Sequence, residues 1–235
     1  MTDDEGAAPY VPNQPTIAAD LMLLLFNPRN GTIAGEGVLY YPLGGAVLAE
    51  LALNNHIQIE SGGTLSAGKV TAVGPGPQDP LLRDAWERLE KKPQAAQNFL
   101  AAVGPQLRGP VLDRIVARHD IVRTSRKVLR IFTTTKLTDG GTARRPELVS
   151  QMTAVLIHGL DPSPRTAVLG ALLSASGQLH SLHRDIPWSS AVAKRGKELE
   201  KGDWAAHGVS TAVRSAAAAV ATSVVLTTAA VATTN

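Results

Sequence analysis

Apolar residues recur at helical spacing in successive segments along most of this chain. The first stripe lies within residues 17–26, where Thr16 is a suitable N-cap, and consists of Ile17, Leu21, Leu24 and Leu25. Residues 44–53 are apolar almost all round apart from Glu50. Because a helix without a polar face must be covered on several sides, this segment predicts a central core helix.

Further helices are predicted by local start and stop signals. Asp79 followed by Pro80 is a typical helix start, and the buried face of that helix should contain Leu81, Ala85, Trp86 and Leu89. The remaining predicted helices cover residues 94–103, 111–118, a segment opened by Pro146, a segment opened by residues 161–164, residues 186–201, and a last helix from Asp203 into the Ala/Val tail.

Two short stretches alternate with a period of two, as strands do. Residues 56–60 and 69–73 predict one small hairpin around a Gly-rich turn. A second hairpin is predicted from Ile121, with residues 124–127 as its turn and 128–134 as the returning strand. The chain therefore predicts a mainly α fold, a single compact helical domain with one or two small β-hairpins. We assign residues 1–15 to a flexible N-terminal segment, 16–220 to the domain and 221–235 to an Ala/Thr-rich continuation of the last helix.

The amino-acid composition excludes several classes of chemistry. Aromatic residues make up only 4% of the chain and there is no cysteine, which excludes disulfides, thiol catalysis and Cys-based metal sites. The acidic N-terminus does not resemble a secretory signal, and residues 215–235 are too rich in Ala and Thr to favour a membrane span.

Charge is concentrated in one stretch. Residues 105–145 contain ten Lys or Arg against three acids, a balance of +7, so the rest of a chain of net charge +3 carries −4. Such an excess predicts an anionic partner such as phospholipid headgroups, a nucleic-acid backbone or an acidic protein. The candidate anion-binding residues are Arg108, Arg114, Arg118, Arg123, Arg126, Lys127 and Arg130. Arg114 and Arg118 should share a helical face, with Arg108 near the start of that helix.

The predicted second hairpin also carries bare apolar side chains on both faces. These are Val128, Leu129, Ile131 and Phe132. Because both faces are apolar, one of them should contact a membrane or another subunit.

The sequence contains none of the catalytic constellations that an enzyme would need. It has no phosphate loop and no zinc-protease motif, and Ser66 misses a nucleophile elbow by one residue. His180 and His183 have only Asp185 nearby, so we predict no metal site, no cofactor and no catalytic residue. Glu50 is either an acid with a raised pKa or, as we favour, a buried carboxylate paired with an arginine. Without a stacking platform or a recognition helix, nucleic acid is not the expected partner.

Several segments, taken in order, resemble the Golgi phosphoprotein 3 family. The resemblance covers about residues 16–220 and rests on the ordered set 16–25, 44–53 leading into His56, 161–177 and 186–204, the last of which is similar to the bacterial branch. It implies a helical domain that binds phosphatidylinositol 4-phosphate in a basic pocket and inserts an apolar hairpin into the bilayer.

The family's lipid pocket is matched at one position. Its tryptophan falls at about Gly35, the arginine that opens the central helix falls at Gly44, and two further arginines fall near Pro105 and at Arg108. Arg108 is therefore the one pocket residue that this chain retains.

These observations predict a non-enzymatic peripheral membrane-binding adaptor at the cytoplasmic, inner face of a membrane. Its expected ligand is an anionic phospholipid, with an inositol lipid as one candidate, and its hairpin is expected to insert or to form oligomer contacts. Each basic group adds about 1 kcal/mol of attraction to an anionic surface, so binding should be reversible. The alternative is a soluble homo-oligomeric scaffold that binds an acidic protein client through the same basic face.

Overall fold

The computed structural model describes residues 14–59, 69–128 and 132–202, and it describes side chains within 121–139 only for 121–125 and 135–139. These parts of the chain form eight α-helices, three short 3₁₀ turns and three small antiparallel sheets. The helices are α1 (Ile17–Leu25), α2 (Tyr40–Leu53), α3 (Pro80–Lys91), α4 (Ala96–Val103), α5 (Arg108–Ala117), α6 (Arg144–Leu156), α7 (Pro164–Ala175) and α8 (Ser190–Lys201). The mainly α fold is confirmed.

Helices α1 and α2 form the centre of the core. All nine residues of α1 are buried, and α2 packs against α1, α4 and α7. Neither helix has a polar face, so each is covered on several sides, as the sequence predicts for residues 44–53. Thr16 caps α1 by accepting a hydrogen bond from the backbone N–H of Ala19 at 3.2 Å.

Five helix starts differ from the prediction, and two of them are those of α5 and α8, which begin at Arg108 and Ser190 and not at residues 111 and 186. The central helix begins at Tyr40 and not at Gly44. Pro42 is tolerated in its first turn, because backbone N–H groups there have no hydrogen-bond acceptor within the helix and the proline therefore breaks no helical bond. In the same way α6 begins at Arg144, two residues before Pro146. Helix α4 begins at Ala96 because the two preceding residues are recruited into a sheet.

The strands are β1 (Phe26–Asn27), β2 (Thr32–Ile33), β3 (Ile57–Ile59), β4 (Lys69–Ala72), β5 (Gln94–Ala95), β6 (Ile121–Val128) and β7 (Phe132–Asp139). The predicted pairing of β3 with β4 is confirmed, and β5 adds a third strand. The predicted last helix from Asp203 lies outside the described residues. No helix within the described ranges is long and apolar enough to cross a bilayer.

The turn of the second hairpin was predicted in the wrong place. Residues 124–127 are paired strand residues, with Ser125 opposite Thr135, and the strands are joined by residues 129–131. The run of polar residues at 124–127 predicts a turn, as polar residues often do between two apolar segments. Thr124 and Ser125 are exposed, so polar residues are compatible with a strand there and give no signal of chain reversal.

Candidate functional site

The β6–β7 hairpin leaves the core at a sharply defined point. Ile121 is fully buried, whereas Val122 is 39% exposed and Arg123, Thr124 and Ser125 are also exposed. The antiparallel ladder continues from the Ile121–Asp139 pair to the Val128–Phe132 pair. Exposure of consecutive residues means that both faces of β6 are uncovered just beyond its base.

Most residues predicted for membrane contact lie at the outer end of this hairpin. The backbone places Arg126, Lys127 and Val128 on β6 and Phe132 on β7, next to the connection that contains Leu129, Arg130 and Ile131. Their side chains lie outside the described part of the structure, so their roles stay predictions. The ladder does bring this cationic and apolar sequence to one end of the hairpin.

The base of the hairpin adjoins the short β1–β2 turn. Gly31 has a φ of 71° and lies against the carbonyl oxygen of Leu137 on β7, so a Cβ there would overlap that oxygen. Beside this contact is a cleft of about 850 Å³ that we call the Arg108 cleft. Its lining includes Gly31, Glu36, Arg108, Asp113, Arg123 and Leu137.

Arg108, which the resemblance aligns with the family's lipid pocket, already has a carboxylate partner. Its Nε donates to Oε1 of Glu36, and both side chains are about half exposed, at 47% and 48%. Glu36 follows Gly35, where the resemblance aligns the family's pocket tryptophan. The segment that contains this position thus lies beside Arg108, but it places an acid next to the arginine.

Arg114, which the sequence predicts to bind an anion, is paired with a carboxylate of this chain. Its Nη1 and Nη2 bind Oδ2 and Oδ1 of Asp79 at 2.6 and 2.7 Å, and both side chains are largely buried. Asp79 is also the N-cap of α3, where it accepts from the N–H of Leu81 at 2.9 Å. Arg114 therefore joins α5 to the start of α3.

The other predicted arginines that are described also meet carboxylates. Arg118 lies 3.5 Å from Asp120, and Arg123 lies 2.8 Å from Asp113. Because these pairs are partly exposed, they leave binding of an external anion open, and that role stays a prediction. The net positive charge around these arginines in the folded chain is therefore smaller than the count over residues 105–145, because acids from distant segments pair with some of them.

Glu50 is a buried carboxylate paired with an arginine, as predicted. Its Oε1 lies 3.3 Å from Nη1 of Arg165, and its Oε2 accepts from the N–H of Ile17 at 2.7 Å. Burial raises the pKa of Glu50, while Arg165 and the Ile17 N–H oppose that shift. The group belongs to the structural core.

His180 and His183, for which no metal site is predicted, each contact a backbone carbonyl oxygen. Nδ1 of His180 lies 2.8 Å from the oxygen of Gly177, and Nδ1 of His183 lies 3.1 Å from that of His180. In the described ranges, no group of three or more His, Cys, Asp or Glu side chains is arranged to hold a metal ion.

Sequence reasoning missed the acids that complete these pairs. Asp79 was recognised as a helix cap but not as the partner of Arg114, 35 residues away. Glu36 gave no local signal, because its partner Arg108 lies 72 residues along the chain.

Comparison with known proteins identifies the family. No curated protein matches this chain. A sequence model described as Golgi phosphoprotein 3 (GPP34) matches residues 17–216, a range that includes helices α1 to α8 and the β6–β7 hairpin. The chain therefore belongs to the Golgi phosphoprotein 3 family.

Proposed function

We propose that this chain is a non-enzymatic peripheral membrane-binding adaptor that uses the outer end of the β6–β7 hairpin to contact anionic phospholipid. The observation that carries the proposal is the exposure of residues 122–125 of β6, just beyond the base of the hairpin. Its ladder extends seven residue pairs beyond buried Ile121, toward a connection flanked by cations and large apolar residues.

Two forces act together in this proposal. Arg126, Lys127 and Arg130 supply attraction to an anionic surface, about 1 kcal/mol for each charge. Leu129, Ile131 and Phe132 supply burial in the bilayer interface, about 1.5–3 kcal/mol for each side chain before ordering costs. The sum supports reversible attachment at the inner, cytoplasmic face of a membrane, where anionic lipids are concentrated.

Lipid charge, and not the identity of the headgroup, is proposed to dominate the affinity. Family membership favours an inositol phospholipid, but Arg108 is the one matched pocket residue and Glu36 already binds it. An anionic headgroup must displace a carboxylate to reach this guanidinium, which weakens any preference for a 4-phosphate.

Vesicle co-sedimentation of the wild-type chain tests this proposal. Binding should be strong to vesicles that contain phosphatidylserine, similar at matched surface charge for phosphatidylinositol 4-phosphate, and weak for neutral phosphatidylcholine. Equal binding to neutral and anionic vesicles would contradict the electrostatic part. A large preference for the inositol lipid at matched charge would contradict the nonspecific part.

The second candidate function is a soluble homo-oligomeric scaffold that holds an acidic protein client. It is favoured by the exposure of Val122 next to Arg123 and Thr124, because a second copy could cover both faces of β6. The mass in solution, together with the vesicle assay, separates the two candidates.

A further inference from the structure

A second cleft, which we call the Arg145 cleft, adjoins the Arg108 cleft along β2, since Thr32 lines both. We propose that the Arg145 cleft is a binding site for a phosphoryl group. Its volume is about 270 Å³. The lining residues that matter here are Arg29, Arg145, His180, His183, Arg184 and Asp185. The lining does not include the β6–β7 hairpin, so this proposal can be tested independently of the proposed membrane contact.

The charge of the lining favours an anion. It contains three guanidinium groups and one carboxylate, which leaves two positive charges before either imidazole is counted. Arg29 and Arg184 are exposed, and neither forms an ion pair with a carboxylate of the described residues. They differ in this respect from Arg108 and Arg114, whose charges are already matched.

Arg145 is held in a fixed orientation at the bottom of this charge cluster. Its Nε donates to the carbonyl oxygen of Phe26 at 3.3 Å and its Nη2 to Oδ2 of Asp185 at 2.6 Å. The Arg145 side chain is 13% exposed, against 32% for the side chain of Asp185. A carboxylate oxygen therefore already binds this guanidinium, and phosphate oxygens use the same charge-assisted geometry.

The two exposed arginines are carried by ordered turns. The backbone N–H of Arg29 donates to Oδ1 of Asn27 at 3.0 Å, inside the β1–β2 turn. Arg184 lies between buried Leu182 and Ile186, whose backbones are joined by a 2.8 Å hydrogen bond. Because both turns are fixed, ligand binding does not need to order the backbone of these arginines, and the remaining ordering cost is that of their side chains.

The histidines complete the polar wall. A carbonyl oxygen only accepts, so Nδ1 of His180 and of His183 must donate in their backbone contacts, which leaves each Nε2 outside those bonds. Trp188 is 49% exposed and meets the ring of His180 edge-on at 6.3 Å. A phosphomonoester carried on an organic group fits this combination of cations with an adjacent aromatic surface.

Titration of the full-length chain with inorganic phosphate, followed by NMR of the backbone amides and imidazoles, tests the proposal. Saturable shifts are expected at His180, His183 and Arg184, with sodium chloride of equal ionic strength as the blank. Arg29→Ala and Arg184→Ala should each weaken binding at least about tenfold, because each loses a charge-assisted contact. The matched control is Arg88→Ala, an exposed arginine on α3. Shifts that do not saturate, or an equal loss in the control, would overturn the site.

A variant that binds phosphate more tightly cannot be explained by a folding defect, so it gives a second test of the site. Asp185→Asn removes the carboxylate that competes for Arg145, so phosphate should bind several-fold more tightly than to the wild type. Unchanged or weaker binding would overturn the assignment of Arg145 to the site.

Two further arms identify the source of the phosphoryl group. For a lipid headgroup, the Arg29→Ala/Arg184→Ala double variant should lose binding to phosphatidic acid vesicles but keep binding to phosphatidylserine vesicles of equal charge. For a soluble ester, glycerol 3-phosphate should saturate the same amide shifts while vesicle binding of that variant is unchanged. Both outcomes support the site, and a failure of hairpin variants on vesicles leaves the phosphate titration unaffected.

Discussion

Arg144 donates two hydrogen bonds to the carboxylate of Asp20, from Nε at 2.9 Å and from Nη2 at 2.6 Å. Asp20 lies on α1 and is 1% exposed, and it also accepts from Arg165 of α7 at 2.8 Å. One buried carboxylate on α1 thus joins the consecutive helices α6 and α7, whose arginines are 124 and 145 residues away from it in sequence.

Asp20→Asn should destabilise the fold by about 3–5 kcal/mol, because it removes the buried carboxylate that two partly buried guanidinium groups share. Urea denaturation measures this change. The control is Glu198→Gln, which removes a partly exposed partner of Arg195 within α8 and should cost less than about 0.5 kcal/mol. Similar free energies of unfolding for the two variants would show that the buried carboxylate does not stabilise the fold.

Glu50 should make stability fall as pH rises. Burial raises the pKa of this carboxyl above its ordinary 4.5, so the folded chain holds its proton at pH values where the unfolded chain has lost it. Its contribution is therefore fully present below pH 4.5 and is lost as pH rises through the folded-state pKa. In Glu50→Gln that loss should disappear. Urea denaturation of both proteins from pH 4.5 upward measures the difference in slope, and parallel curves would contradict the assignment.

Glu36→Gln should strengthen binding to anionic vesicles by about fivefold, since it frees the charge of Arg108, worth about 1 kcal/mol near an anionic surface. The pair is about half exposed, so stability should change by less than about 0.5 kcal/mol. Co-sedimentation at several lipid concentrations gives the affinities. Arg108→Ala is the opposite variant and should weaken binding; if both variants bind like the wild type, the Arg108 cleft takes no part in lipid contact.

The oligomeric alternative makes a separate prediction. If the hairpin is covered by a second copy, Phe132→Asp should lower the mass measured by light scattering, because a charge would enter an apolar interface. The control is Trp188→Asp, which changes a large exposed aromatic residue elsewhere. A wild-type chain that is already monomeric, or an unchanged mass in Phe132→Asp, would argue against the scaffold.

Local signals in the sequence predicted much of the fold. Thr16, Asp79 and Ser163 cap helices because each side chain accepts bonds from N–H groups two or three residues on, which is a short-range property. The all-apolar segment around Glu50 predicted its burial, and burial in turn predicted an arginine partner, although it could not indicate that this partner is Arg165.

Long-range pairing was not predictable from the sequence. The charge of residues 105–145 is a sum along the chain, whereas in space Arg108, Arg114 and Arg145 meet Glu36, Asp79 and Asp185 from other segments. The Arg145 cleft was missed for the same reason, because its cations come from three separated stretches. The position of the hairpin turn was missed because an exposed strand does not need alternation of polar and apolar residues.

The central claim is that the outer end of the β6–β7 hairpin binds anionic membranes, and co-sedimentation of Arg126→Glu/Lys127→Glu with phosphatidylserine vesicles tests it most directly. The matched control is Lys91→Glu/Lys92→Glu, which makes the same change in net charge at an exposed pair near the end of α3. We expect the hairpin variant to lose most of its binding and the control to retain most of it. Equal binding of both variants, at the wild-type level or at a common lower level, would contradict the claim.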